Sequence, residues 1–229
     1  MNRLLVGRVL SLGLLVVLVV LALSACGGVE KKAKVRPLPE DPKALRPGTY
    51  RSEEFKPSLS FHVGKGWSSS PLEASDILEI TRGQTTGMNF SNAQEVYKPT
   101  KTGSANIVDA PKNIAGWLQQ HPYLQTSKPE PVRVGGVKGV EFDVGVGDLP
   151  KGYNPTCSSI VGNPNCVDLG SLSTGGPIFV VGGDKTRVIV LEDVEGETVT
   201  IGFVSRASEF GELASEAQKV LDSVEWRGS

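Results

Sequence analysis

Residues 187–226, RVIVLEDVEGETVTIGFVSRASEFGELASEAQKVLDSVEW, decide the fold. Arg187–Val194 is rich in β-branched residues and ends at Glu195-Gly196-Glu197, a turn composition. Thr198–Val204 then alternates, with Val199, Ile201 and Phe203 on one face. Two strands joined by so short a turn must lie antiparallel. From about Ser208 the period changes. Phe210, Leu213, Ala214, Ala217, Val220, Leu221 and Val224 share one face at helical spacing, which predicts a helix of about 15 residues. Glu225-Trp226 closes the stretch as a short strand. A meander followed by an amphipathic helix is a sheet with a helix laid on it.

Working outward, the same pattern recurs. Ile178–Val181 and the Gly182-Gly183-Asp184 turn lead into Arg187–Val194, so that with Thr198–Val204 an antiparallel meander of three strands is expected. Val132–Val134 and Val137–Val146 flank Gly135-Gly136, the composition of a two-residue primed hairpin turn. Leu59–Val63, Ile77–Thr81 and Gly87–Phe90 read as strands, with Val96-Tyr97 after a break. One helix is expected in the middle, with Asp109 as N-cap and Pro111 in the first turn. Ile114, Trp117 and Leu118 form its apolar stripe, and His121-Pro122 ends it. The expected class is α+β: an antiparallel sheet of about seven strands with a middle helix and a C-terminal helix packed on it.

The chain has 229 residues, of which 39% are hydrophobic, with 27 Gly and 15 Pro. That describes a loop-rich globular chain rather than a disordered or collagen-like one. From residue 48 onward 16 Lys and Arg stand against 22 Asp and Glu, a net charge of −6. An acidic domain without a basic stripe argues against nucleic acid as a partner, because phosphate neutralisation supplies most of that affinity.

The N-terminus reads as an export segment. Arg3 and Arg8 precede the 15-residue apolar run Val9–Leu23. A spanning helix wants about 20 apolar residues, so the run suits a signal peptide. Leu23-Ser24-Ala25-Cys26 follows and resembles the lipobox of bacterial lipoproteins. The resemblance implies a signal peptide over 1–25, cleavage before Cys26 and a diacylglyceryl thioether on Cys26. The protein is then lipid-anchored on the extracytoplasmic face of the cell membrane, with the membrane as its first partner. One acyl chain holds only marginally, so two or three are needed for stable anchoring. Residues 26–47 carry four prolines (Pro37, Pro39, Pro42, Pro47) and a basic cluster at Lys31, Lys32, Lys34 and Arg36. They are expected to form an extended, solvated tether. The domain is then 48–229.

Within that domain, Tyr50, Ser52, Phe55, Phe61, Gly66 and Trp67 near the start, and Val220 to Trp226 at the end, carry a second likeness. Over roughly 48–227 the chain resembles the PsbP/Mog-type α/β sandwich, which lipoproteins of actinobacterial envelopes also use. Members mainly bind partners or assemble complexes. Residues 148–177, with five glycines, four prolines and only three charges, depart from the common pattern as a loop insertion. A loop of that length tends to be functional or mobile.

Chemistry-bearing residues are few. Cys157 and Cys166 have eight residues between them, and beyond the membrane paired thiols oxidise, so a disulfide is expected. A metal site would need more ligands than His62 and His121 supply, and no metal or other cofactor is expected. A nucleophile would need one of these histidines as its base. His62 is expected to face solvent, and His121 to complement a helix C-terminus as a cation. Gly182–Thr186 lacks phosphate-loop spacing. Glu192/Asp193 face opposite sides of a strand, and Glu195/Glu197 flank a turn where weak Ca²⁺ binding is the alternative to solvation. No catalytic residues are expected. Trp67, Trp117, Tyr123 and Tyr153 are the candidate binding rings, against packing roles for Trp67 and Trp117.

The expected function is therefore a non-catalytic, membrane-anchored binding module for an envelope protein or glycan, acting through the insertion. The alternatives are a small-ligand or lipid carrier, which requires an apolar cavity of about 300–1,000 Å³, and an envelope hydrolase.

Overall fold

The computed structural model describes residues 34–83, 86–103, 106–173 and 176–227. The expected signal peptide and Cys26 lie outside the described residues. In chain order, β1 (Arg36–Pro37), β2 (Gly48–Arg51) and β3 (Leu59–Val63) precede the meander β4 (Ser68–Ala74), β5 (Ile77–Thr81) and β6 (Gly87–Ser91). β7 (Glu95–Tyr97) and β8 (Ile107–Asp109) lead into helix α1 (Ile114–Gln119). β9 (Leu124–Thr126), β10 (Glu130–Val134) and β11 (Val137–Val146) follow, then the short helix α2 (Cys157–Val161) and β12 (Cys166–Ser171). β13 (Pro177–Val181), β14 (Asp184–Val194) and β15 (Glu197–Arg206) come next, before helix α3 (Phe210–Leu221) and β16 (Glu225–Trp226).

These strands form three sheets. The central one runs β10-β11-β14-β15-β6-β5-β4, with β9 also paired to β11. A four-stranded sheet, β1-β2-β3-β16, lies with α3 on one side of it, and β13-β12-β7-β8 lies with α1 on the other. Strand β14 explains the layering. Ile189 and Leu191 point into a core shared with Phe61, Phe90, Leu213 and Val220, whereas Val188 and Val190 point into a second core with Ile114, Leu118, Val167 and Val180. A strand apolar on both faces has to be covered on both faces.

The expected single sheet of about seven strands with two helices packed on it is thus corrected. Strand accounts for 46% of the described residues and helix for 12%, so the chain is mostly β, in sheets of four, eight and four strands. Of the strands not expected, β1, β8 and β9 are two or three residues long, too short for a period of two to register, whereas the longer β4 and β12 pair with register shifts, between Ser69 and Glu73 and between Asp168 and Gly170, that break the alternation. The expected middle helix from Asp109 is shorter for the same reason. Ile107–Asp109 pairs with Glu95–Tyr97, and the helix starts only after Asn113, whose Oδ1 accepts the Gly116 N–H at 2.7 Å.

The hairpin forms as read, and the last helix forms over Phe210–Leu221, twelve residues rather than about 15, leaving Val224 beyond its end. Gly135 and Gly136 adopt φ of 56° and 83° between β10 and β11, and a Cβ on Gly135 would strike the Trp226 indole at 2.6 Å. Of the expected tether, 34–47 is described, and it packs onto the domain. Arg36 donates to Tyr50 Oη at 3.1 Å, and Leu38 and Leu45 are buried in the larger core. The expected loop insertion contains α2 and β12. Among the described residues, no helix is long and apolar enough to cross a membrane.

Candidate functional site

Helix α1 organises the site. Asn113 caps it, Ile114 and Leu118 anchor it in the second core, and Trp117 projects sideways from it. The chain then tightens, with the His121 N–H donating to the Leu118 carbonyl at 3.3 Å, and Pro122 prevents continuation. Three of the four candidate rings converge here in an edge-to-face ladder around His121. Trp117 lies 5.2 Å from the imidazole, the imidazole 5.7 Å from Tyr123, and Tyr123 5.2 Å from Tyr153. The fourth, Trp67, is elsewhere. It is 1% exposed in the larger core, and its Nε1–H has no hydrogen-bond partner among the described residues.

His121 is only 5% exposed, which corrects the expectation of a surface cation. Burial pulls its pKa down to about 4. Its Nδ1 accepts the Tyr123 N–H at 3.3 Å, which places the proton of the neutral ring on Nε2. Tyr153 is half-buried rather than exposed, and burial followed by the nearby Asp168 carboxylate pushes its phenol up to about 12. Tyr97 is raised by the same two causes. Asp168 is itself buried, and it accepts the Thr156 N–H at 2.6 Å and the Cys157 N–H at 2.9 Å. Together with the Cys157–Cys166 disulfide, this fixes the insertion against the second core.

Beside α1 the outer face of the central sheet is left uncovered, and a half-open cleft of about 90 Å³ forms there. Its floor is Asn89 and Ser91 of β6, Thr200 and Gly202 of β15, and Thr186 and Val188 of β14. Its walls are Trp117 and Leu118 of α1, Leu169 of β12, and Ile178 and Phe179 of β13. No charged side chain lines it among the described residues. Thr186 is 8% exposed, and its hydroxyl has no hydrogen-bond partner among the described residues. Lys185 and Arg187 of β14 sit on the opposite face, where they pair with Asp143 at 3.3 and 2.7 Å. The Arg187 and Lys185 cations hold the Asp143 carboxyl below its usual range, against the opposing effect of its own burial.

His62 is exposed, its Nδ1 3.5 Å from Thr49 Oγ1. Among the described residues neither imidazole is hydrogen-bonded to a serine side chain or a carboxylate. No group of three or more His, Cys, Asp or Glu that could hold a metal ion occurs among the described residues. Glu197 accepts from Asn92 Nδ2 at 3.2 Å.

The sequence reading found Trp117 but missed the cleft's floor. The alternation of Thr198, Thr200 and Gly202 against Val199, Ile201 and Phe203 was the available signal. A small, polar strand face reads as solvated until another layer is known to stand beside it. With the geometry in place, the class is a three-layer, mostly β domain with an uncharged apolar cleft. No family model matches the chain, and no curated protein matches it. Among solved structures it is similar to the solution structure of cyanobacterial PsbP (CyanoP) from Synechocystis sp. PCC 6803. The identity is 10%, over 89% of this chain and 98% of that one, with a TM-score of 0.39. At that score the likeness assigns no residue a role.

Proposed function

We propose that this chain is a non-catalytic binding module, held by lipid on Cys26 at the extracytoplasmic face of a membrane, whose cleft takes a compact, predominantly apolar ligand. The cleft walled by Trp117, Leu118, Ile178 and Phe179 carries this reading. At about 90 Å³ it is far below the roughly 300–1,000 Å³ of pockets for drug-sized ligands, so it suits one ring or a short branch rather than a whole acyl chain. This narrows the carrier alternative to small cargo.

Gly202 supplies the test. A Cβ there lies 3.3 Å from Asn89 Oδ1 and projects where the floor is open. Gly202→Leu fills the cleft once the Asn89 amide gives by a few tenths of an ångström. In the full-length protein in lipid nanodiscs, p-cresol is expected to shift the ¹⁹F resonance of 5-fluorotryptophan at Trp117. The Gly202→Leu variant is expected to lose that shift while keeping its melting temperature within a few degrees. A wild-type Trp117 resonance that ignores p-cresol sinks the reading.

A second reading keeps a macromolecular partner. Ile160 and Val161 of α2 are 56% and 37% exposed on the disulfide-pinned insertion. A photoreactive group at 160 then crosslinks one discrete envelope partner on intact cells. Scattered or absent products dispose of it.

A further inference from the structure

Resting on the proposed lipid anchor at Cys26, we infer that the corner formed by Lys34, Val35, Arg36 and Arg46 docks on the anionic headgroups of the membrane that holds the chain.

The first observation is the length of the leash. Leu38 and Leu45 are buried in the larger core. The Leu38 N–H donates to the Arg51 carbonyl at 3.0 Å, and the Leu45 N–H donates to the Trp67 carbonyl at 2.8 Å. The Lys43 N–H donates to Ser69 Oγ at 3.1 Å. Residues 34–47 therefore belong to the domain and add nothing to its reach. Seven residues remain between Cys26 and Lys34. That span covers at most about 28 Å when fully extended. A lipid on Cys26 thus keeps the start of β1 close to the headgroups, and attraction over a Debye length of about 8 Å can act there.

The second observation is what stands at that point. Arg36 fixes the corner. Its guanidinium lies over the Tyr50 ring, 5.4 Å from the centroid, and donates to Tyr50 Oη at 3.1 Å and to the Pro47 carbonyl at 3.4 Å. Tyr50 Oη in turn donates to the Arg46 carbonyl at 2.9 Å, which holds Arg46 beside β1. Lys34 and Arg46 are exposed, and Arg36 is half-buried. None of the three is ion-paired among the described residues. Val35, between two of the cations, is itself exposed. Residues 34–47 carry Lys34, Arg36, Lys43 and Arg46 against Glu40 and Asp41, whereas residues 48–229 carry a net charge of −6. An anionic surface attracts the first stretch and repels the second, so the domain is turned with this corner toward the lipid. The cleft lining includes none of these residues, and docking covers no part of it.

The test uses the full-length protein in nanodiscs of phosphatidylcholine with about one third phosphatidylglycerol, a composition anionic enough to attract exposed Lys and Arg. A diazirine side chain is placed at position 35 or, in a separate sample, at position 160 on α2. Lipid adducts are expected at 35 and not at 160. In discs of phosphatidylcholine alone, adducts at 35 should fall at least about 5-fold, the worth of one cation at an anionic surface. The double variant Lys34→Glu/Arg46→Glu changes only exposed side chains. It should lose the adducts to the same extent with an unchanged melting temperature. Equal labelling in neutral discs, no effect of the double variant, or labelling at 160 equal to that at 35 overturns the docking surface. So does a position 35 that labels no lipid while the protein stays with the discs, and in each of these cases the anchor still stands. A wild-type chain that elutes apart from the discs overturns the anchor and the docking surface together.

Discussion

His121 is a base whose protonation the fold opposes. It is enclosed by Trp117 and Tyr123, its Nδ1 is already an acceptor, and burial alone depresses its pKa to about 4. Below its unfolded pKa of about 6.5 the unfolded chain gains a proton that the folded chain does not. Stability therefore falls as pH drops from about 6.5 toward 4 and flattens beneath that. About 3.5 kcal/mol is the upper bound of the loss, from about 1.4 kcal/mol per pKa unit. Urea midpoints at pH 7.5, 6, 5 and 4.5 should show the decline, and His121→Phe should remove most of it within this window. The depressed Asp143 and Glu216 carboxyls act in the same direction but only at still lower pH.

Glu195 offers a second check at this scale. It holds φ of 57° in the turn between β14 and β15 with no compensating Gly at that position. The left-handed region costs a residue with a Cβ about 1–2 kcal/mol, less for Asn. Glu195→Asn should raise the melting temperature, by up to about 1 kcal/mol of stability. Neither residue's state was readable in sequence. A histidine before proline looks like any helix end, and its aromatic enclosure is completed by Tyr153, 32 positions along the chain.

At the scale of elements, periodicity did well where a strand alternates without interruption and poorly where strands are very short or bulged. The β14–β15 pair, the Gly135-Gly136 hairpin and the last helix were legible because each extends over several residues of one period, whereas β13, expected to join β14 in one meander, pairs with β12 in another sheet. β1, β4, β8, β9 and β12 were not, and β8 in particular turned the expected start of the middle helix into a strand. The insertion is the element where covalent chemistry matters most. The disulfide closes a loop across a sequence separation of nine, and α2 begins where Asp168 accepts two backbone N–H groups. Replacing both cysteines by serine should cost about 2–3 kcal/mol by loop-closure entropy. The loss should be seen as a lower melting temperature that added reductant no longer changes.

For the molecule as a whole, the proposed anchor decides where the cleft works. Intact mass of protein extracted from membranes should correspond to a chain beginning at Cys26 and carrying a diacylglyceryl group. Cys26→Ala should instead retain residues 1–25. A wild-type chain that starts elsewhere, or that carries no lipid, would remove the anchor from the account and leave the cleft unaffected.

What the sequence determined by itself is local. Alternation, turn composition and helical spacing follow from the geometry of one segment, so the central strands, the hairpin and the last helix could be read without knowing their neighbours. The expectation that Cys157 and Cys166 pair came from composition and compartment in the same way. Tertiary structure decided everything that depends on what stands opposite a face. Val188 and Ile189 are equally apolar in sequence, yet they enter different cores. Thr186 and Thr200 carry no apolar signal of their own, and only the placement of α1 and β13 beside them turns their face into the floor of a cleft. A strand's two faces are fixed by its own backbone, whereas what covers each face is set by residues far away in the chain.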